Sequence, residues 1–202
     1  MNDNEGDGAD FRGQNRANET PASTTDPESR LSRKAAGREA RLCSMGHVTI
    51  ENRHGLAVAG VVTTADGPAE RRASQAMLKA KRKAVGHRIT AGADKAYDTK
   101  GHVEDLRAIN VTPHVAQNNG PAKIGKRIGK RRRSSIDART TRHASYGMSQ
   151  KRRKMIECIF GWGKQHGTMR KAKHRGVAGI AGGFLLNLIA CNLIRIPKLV
   201  AA

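Results

Sequence analysis

The chain has 202 residues, with 38 Lys and Arg against 17 Asp and Glu, a formal charge of +21 and a pI near 10.9. An excess of that size is expected of a nucleic-acid partner. One Trp, two Tyr and three Phe are too few for a base-stacking platform, so backbone-dominated contact with duplex suits the composition better than single-strand binding. Cys43, Cys158 and Cys191 form no C-x-x-C pair, which excludes a disulfide framework or a zinc motif; they read as buried thiols of a reducing cytoplasm. No cationic and apolar signal region opens the chain, so nothing argues for export.

Residues 1–41 are rich in Asn, Asp, Glu, Gly, Arg and Ser, with Phe11 and Leu31 the only large apolar side chains. They read as a disordered or loop-like arm that buries too little surface to offset its ordering entropy. Cys43 to Glu51 reads as a strand, Asn52 to Gly55 as a turn, and Leu56 to Thr64 as a second strand, making a hairpin. Asp66-Gly67-Pro68 starts a helix whose stripe is Ala69, Ala73, Ala76, Met77 and Ala80, ending near Val85. His87 to Ala93 reads as a strand that arrives at Asp94, Thr99 to Ile109 as a helix, and Val111 to Ala116 as a strand. Residues 117–146 read as a basic loop; Lys123 to Arg133 carries seven Lys or Arg and no acid. Gln150 to His166 has apolar residues at helical spacing, Met155, Ile156, Ile159, Phe160 and Trp162. Val177 to Ile194 is apolar, yet Gly179, Gly182, Gly183, Asn187 and Asn192 and a basic flank favour a buried C-terminal helix over a membrane span. Strands alternating with helices give an α/β class in residues 42–202, with at least part of the sheet parallel.

Two places carry candidate chemistry. Arg153, Glu157 and Lys164 fall at i, i+4 and i+11, on one helical stripe. Either Glu157 pairs with Arg153 across a turn, or Glu157 is a metal-binding carboxylate whose basic neighbours hold a phosphodiester. Asp94 stands at a strand's carboxyl end, where functional groups of parallel sheets gather; its plain alternative is a turn cap, with Asp98 and Thr99 close by. His54, His102 and His114 form no ligand spacing and read as surface or packing residues.

Taken together, Ala93-Asp94-Lys95-Ala96-Tyr97-Asp98 and Arg153…Glu157…Lys164 resemble the DDE transposases of bacterial insertion sequences, in the group marked by a YREK signature. Ser23-Thr24-Thr25-Asp26-Pro27, Met45-Gly46-His47, Glu51-Asn52-Arg53-His54-Gly55 and Thr140-Thr141-Arg142-His143 extend the likeness. The signature's tyrosine falls on Gln150, a departure.

The resemblance implies a ribonuclease H-like mixed sheet with flanking helices, with Asp94 as the second catalytic acid and Glu157 as the third. Both would ligate Mg²⁺ or Mn²⁺ in a two-metal site, which needs hard oxygen ligands. It also implies metal-dependent cleavage and strand transfer on double-stranded DNA, at element ends and target, in the bacterial cytoplasm at the nucleoid. Arg153 and Lys164 would hold phosphates near the metals. Lys126, Arg127, Lys130, Arg131, Arg132 and Arg133 would guide duplex without reading bases. A homo-oligomer, or a complex with an intact transposase, is the expected assembly.

One element of the family has no counterpart. The first acid belongs to the first, central strand, and residues 1–41 contain no strand-like run; Asp3, Asp7, Asp10 and Asp26 lie in loop-like surroundings. The chain therefore reads as a carboxyl-terminal, amino-terminally truncated piece, in which the neighbours of the missing strand keep unpaired backbone groups. The alternative function is an inactive basic DNA-binding remnant. A ribosomal or other RNA-associated basic protein also suits the charge, but the ordered acids argue against it.

Overall fold

The computed structural model describes residues 23, 25–33, 37, 39–124 and 127–201. Most of the arm, with Asp3, Asp7, Asp10 and Phe11, lies outside the described residues, as do Lys126 and the side chains of residues 122–131. Among the described residues there are three separate small sheets: β1-β2-β3, β4-β5 and β6-β7.

Strands β2 (Arg41–Ile50) and β3 (Ala57–Thr64) form the expected antiparallel hairpin, from Ser44 opposite Thr64 to Ile50 opposite Ala57. Its turn is built by Glu51, whose carboxylate accepts the backbone N–H groups of Arg53, His54 and Leu56 at 2.7, 2.7 and 3.1 Å. Gly55 completes the turn at φ +72°, a left-handed conformation that glycine adopts without a Cβ penalty. A short strand, β1 (Arg30–Ser32), pairs with Arg41–Cys43. It lies inside the arm that was expected to hold no strand; three residues are too few to show an alternating pattern.

Helix α1 (Ala69–Val85) ends at Gly86, left-handed at φ 75°, whose N–H bonds the Arg82 carbonyl. Then β4 (Ile89–Ala93), α2 (Lys100–Ala108) and β5 (Val111–Val115) make a parallel β-α-β unit, with Ile89 opposite Val111 and Ala93 opposite Val115. Thr99 caps α2 by accepting the His102 N–H. Leu78, Leu106 and Val111 form one core cluster, and Val103, Val115 and Ile136 another.

The stretch expected to be a single basic loop is more ordered. It contains an antiparallel hairpin, β6 (Pro121–Ile124) and β7 (Arg127–Arg131), then a single-turn helix, α3 (Ala138–Thr141), and the start of α4 (Ala144–Arg152). Charge density hid the strands because Lys and Arg are weak markers of either state.

The helix expected from Gln150 to His166 is two helices, α4 and α5 (Met155–Gln165). Between them the Ile156 N–H bonds the Arg153 carbonyl and the Glu157 N–H bonds that of Lys154. These are i→i+3 bonds, a tightened turn that re-aims α5 while Arg153 and Lys154 keep helical backbone angles.

Helix α6 (Gly176–Val200) packs on the β2-β3 hairpin through Phe184 and Leu188, in a cluster with Val48, Val62 and Ile159. The approach is close: a Cβ on Gly46 would stand 2.7 Å from Phe184 Cε2. The expectation of a buried helix is only partly met. Phe184, Asn187 and Leu188 are buried, but Leu186 is 67% and Val200 82% exposed, because a single hairpin and α5 cover one side of a helix that is apolar all round. Its length and mean hydropathy of 2.0 would suffice to cross a membrane. Both asparagines, however, bind inward: Asn192 exchanges hydrogen bonds with both backbone groups of Ala57, and Asn187 donates to Thr168 and to the Gly183 carbonyl. The thiols also differ from expectation, with Cys158 exposed and Cys43 and Cys191 half-buried.

Candidate active site

Asp94 follows the last residue of β4 and caps a 3₁₀ turn (Lys95–Tyr97), accepting the Lys95 N–H at 2.5 Å. The cap reading is thus correct as local structure, and the side chain has a second contact. Arg153 Nη1 lies 3.4 Å from Asp94 Oδ1, so Arg153 pairs across the fold with Asp94. The tightened turn between α4 and α5 makes this contact by taking Arg153 out of α5. Arg153 Nε is buried without a partner among the described residues.

Glu157 stands in the first turn of α5, where a carboxylate suits the positive end of the helix dipole. Asp94, Glu157 and Arg153 all line one cavity of about 650 Å³. Lys164 is in the last turn of α5 and exposed. It shares Glu157's side of the helix but sits two turns further on, about 10 Å along the axis, and it is outside the cavity lining. The structure therefore brings together three of the four residues singled out at the two motifs.

The basic residues lie elsewhere. Arg127, Lys130 and Arg131 belong to β7 by their backbone, while Arg132 and Arg133 follow it and are exposed. What anchors this hairpin is Asp98, only 8% exposed, which accepts the N–H groups of Asn118 and Ser135 at 2.7 and 2.9 Å. Those two residues flank β6 and β7, so one carboxylate ties the base of the hairpin four residues from Asp94. Sequence reading weighed Asp98 only as a cap; its partners are 20 and 37 residues away, and no local spacing reveals them. Gln150, at the departing signature position, also has a defined task. Its Nε2 donates to the His114 carbonyl at 2.6 Å and ties α4 to β5, beside the buried His114–Ser149 hydrogen bond.

Three histidines lie in or near these elements. Burial holds His47, His102 and His114 below the ordinary imidazole range, so all three are uncharged near neutral pH. His47 bonds Thr63, whereas His102 Nε2 has no partner among the described residues. Burial, followed by the charge of Glu70, pushes Tyr97 up to about 12, and its ring packs on His102 at 5.4 Å.

Asp94 at a strand end and Glu157 on a helix thus line one opening with the Arg153 guanidinium, on a strongly basic α/β protein. The family described as the transposase DDE domain matches residues 18–193, and the chain belongs to that family. No curated protein and no solved structure matches it. Membership implies a transposase-type nuclease that binds DNA, in a family whose members generally use divalent metal ions. Among the described residues, no group of three or more His, Cys, Asp or Glu is placed to hold such an ion. Asp94 and Glu157 offer the hard oxygen ligands that Mg²⁺ prefers, but two carboxylates are fewer than a two-metal site requires.

Proposed function

We propose that this chain is the carboxyl-terminal part of a ribonuclease H-like transposase of the YREK group, acting on the double-stranded DNA of an insertion sequence by metal-dependent cleavage and strand transfer. The observation that carries the reading is the convergence of Asp94 and Glu157, distant in sequence, on one cavity with Arg153 ion-paired to Asp94. Divalent metal, when bound, supplies activation of the attacking oxygen and stabilisation of the leaving oxygen. The chain's own residues position the substrate. Arg153 sits where a backbone phosphate near Asp94 would need a donor, and Lys164, further along α5, suits the next stretch of backbone. Arg132, Arg133 and the β6-β7 hairpin guide duplex electrostatically.

Among the described residues the donor set falls short by one carboxylate. That shortfall leaves the first acid outside the described residues. It also favours a second reading, a DNA-binding remnant that occupies element ends without cutting them. A Mg²⁺-dependent nicking assay on element-end duplex separates the two. Nicking that disappears in Asp94→Asn or Glu157→Gln rules out the remnant, whereas binding with a steep salt dependence and no nicking rules out the enzyme reading of this polypeptide.

A further inference from the structure

We infer that Cys158 and Cys191 form an oxidant-sensitive pair: peroxide converts the exposed Cys158 to a sulfenic acid, and Cys191 closes on it to give a disulfide that staples α5 to α6. The pair rests on the seam between these two helices and is independent of the proposed function.

At one end of the seam, a Cβ on Gly55 would stand 3.4 Å from Met155 Cβ and 3.6 Å from Arg195 Nη2, so the start of α5 and the end of α6 meet at one turn. At the other end, just past α5, the Thr168 N–H donates to Asn187 Oδ1 at 3.0 Å, and between the ends the Phe160 and Phe184 rings lie 6.4 Å apart. The helices therefore run antiparallel. Cys158 is three residues in from Met155 and Cys191 four in from Arg195, which puts the two thiols level. Both flank one buried cluster: Ile159, next to Cys158, packs with Phe184 and Leu188, and Cys191 lies against the same cluster one turn beyond Leu188. Packed helices have axes about 8–10 Å apart with Cα atoms about 2.3 Å off each axis. Residues level across such a seam come within the span of roughly 4.4–6.8 Å between Cα atoms that a disulfide bridges. The thiols also feel one another: burial pushes the Cys191 thiol up, the Arg195 guanidinium draws it part of the way back, and Cys158 adds a further push.

The two environments assign the roles. Cys158 is exposed and Cys191 half-buried, and an accessible thiol beside a sheltered resolving thiol is a common build for a redox-sensitive pair. In the first step the Cys158 sulfur attacks one peroxide oxygen, the O–O bond breaks, and the thiol proton leaves with the other oxygen as water. In the second step the Cys191 sulfur attacks the Cys158 sulfur, the S–O bond breaks, and the departing hydroxide takes the Cys191 proton as a second water. Two electrons pass from the thiols to peroxide, and a thiol reductant reverses the bond by exchange. Cys158 directly follows Glu157 in the first turn of α5, so the bridge restrains that turn and the Glu157 carboxylate with it.

The test treats the full chain, dilute and reduced, with one equivalent of hydrogen peroxide and maps tryptic peptides without reduction. The expected product is residues 155–164 joined to residues 176–195, lighter than the two peptides together by about 2 Da and separated again by dithiothreitol. Cys191→Ala should leave the sulfenic acid unresolved and raise its capture by dimedone at least about tenfold over the unsubstituted chain. Oxidation should raise the urea midpoint of the unsubstituted chain, as a cross-link that constrains the unfolded state requires, and reduction should restore it. Cys158→Ser should show neither change. Sulfinic acid at Cys158 without the linked peptides, a bridge between the Cys158 residues of two chains, a bridge to Cys43, or equal dimedone capture with and without Cys191 would each overturn the pair.

Discussion

Asp98→Ala should loosen the basic hairpin before it unfolds the protein. The Asp98 carboxylate accepts two backbone N–H groups, from Asn118 and Ser135, and the side chain is nearly enclosed. A hydrogen bond to a charged acceptor contributes about 1.5–3 kcal/mol, and each buried donor left unpaired costs a similar amount. Water reaching the opened hairpin base recovers part of this, so the expected cost is about 2–4 kcal/mol. Asp98→Asn keeps one acceptor oxygen and should lose roughly half as much. Urea unfolding gives the global figure, and amide exchange at Asn118 and Ser135 gives the local one, which should rise first and most. Duplex binding should weaken as well, because β6, β7, Arg132 and Arg133 lose their fixed placement. Unchanged exchange at both amides, or an Asn variant as damaged as the Ala variant, would refute the clamp.

Other outcomes follow from the same contacts. Gly46→Ala places a methyl group against the Phe184 ring and should cost about 1–3 kcal/mol in urea unfolding, the usual range for overpacking. His47, His102 and His114 are depressed in the folded state chiefly by burial, from an ordinary value of 6.5. The unfolded chain therefore binds more protons, so their stability contribution is complete above about pH 6.5 and falls away as the pH drops toward their folded values. The urea midpoint should decline over that interval, and less so in His102→Gln. Arg132→Ala and Arg133→Ala should each reduce the slope of log binding constant against log salt by about 1 if they contact phosphates; unchanged slopes would remove them from the interface.

Much of the secondary structure was legible because its signals are local. The β2-β3 hairpin, α1 and the β4-α2-β5 unit all lie within a few residues of where alternation, helical spacing and turn residues put them. Long-range or charge-masked features were not legible. The break at Arg153–Lys154 interrupts a sequence whose apolar spacing continues smoothly, and only the contact with Asp94 shows what the tightened turn does. The β6-β7 hairpin lay hidden under its own charge. The bare outer face of α6 could not be read either, since an all-round apolar helix has the same sequence whether covered or open. At the site, Asp94, Glu157 and Arg153 were identifiable as residue types in order, but the Asp98 clamp and the role of Gln150 depend on partners far along the chain.

The proposed function makes Asp94 and Glu157 two ligands of one metal-dependent site. Mn²⁺ titration followed by NMR line broadening tests it most directly. At millimolar Mn²⁺ the amides around Ala93–Lys95 and around Glu157 should broaden together, and either Asp94→Asn or Glu157→Gln should abolish the effect at both places. Broadening centred elsewhere, or broadening at one acid that survives loss of the other, would contradict the account.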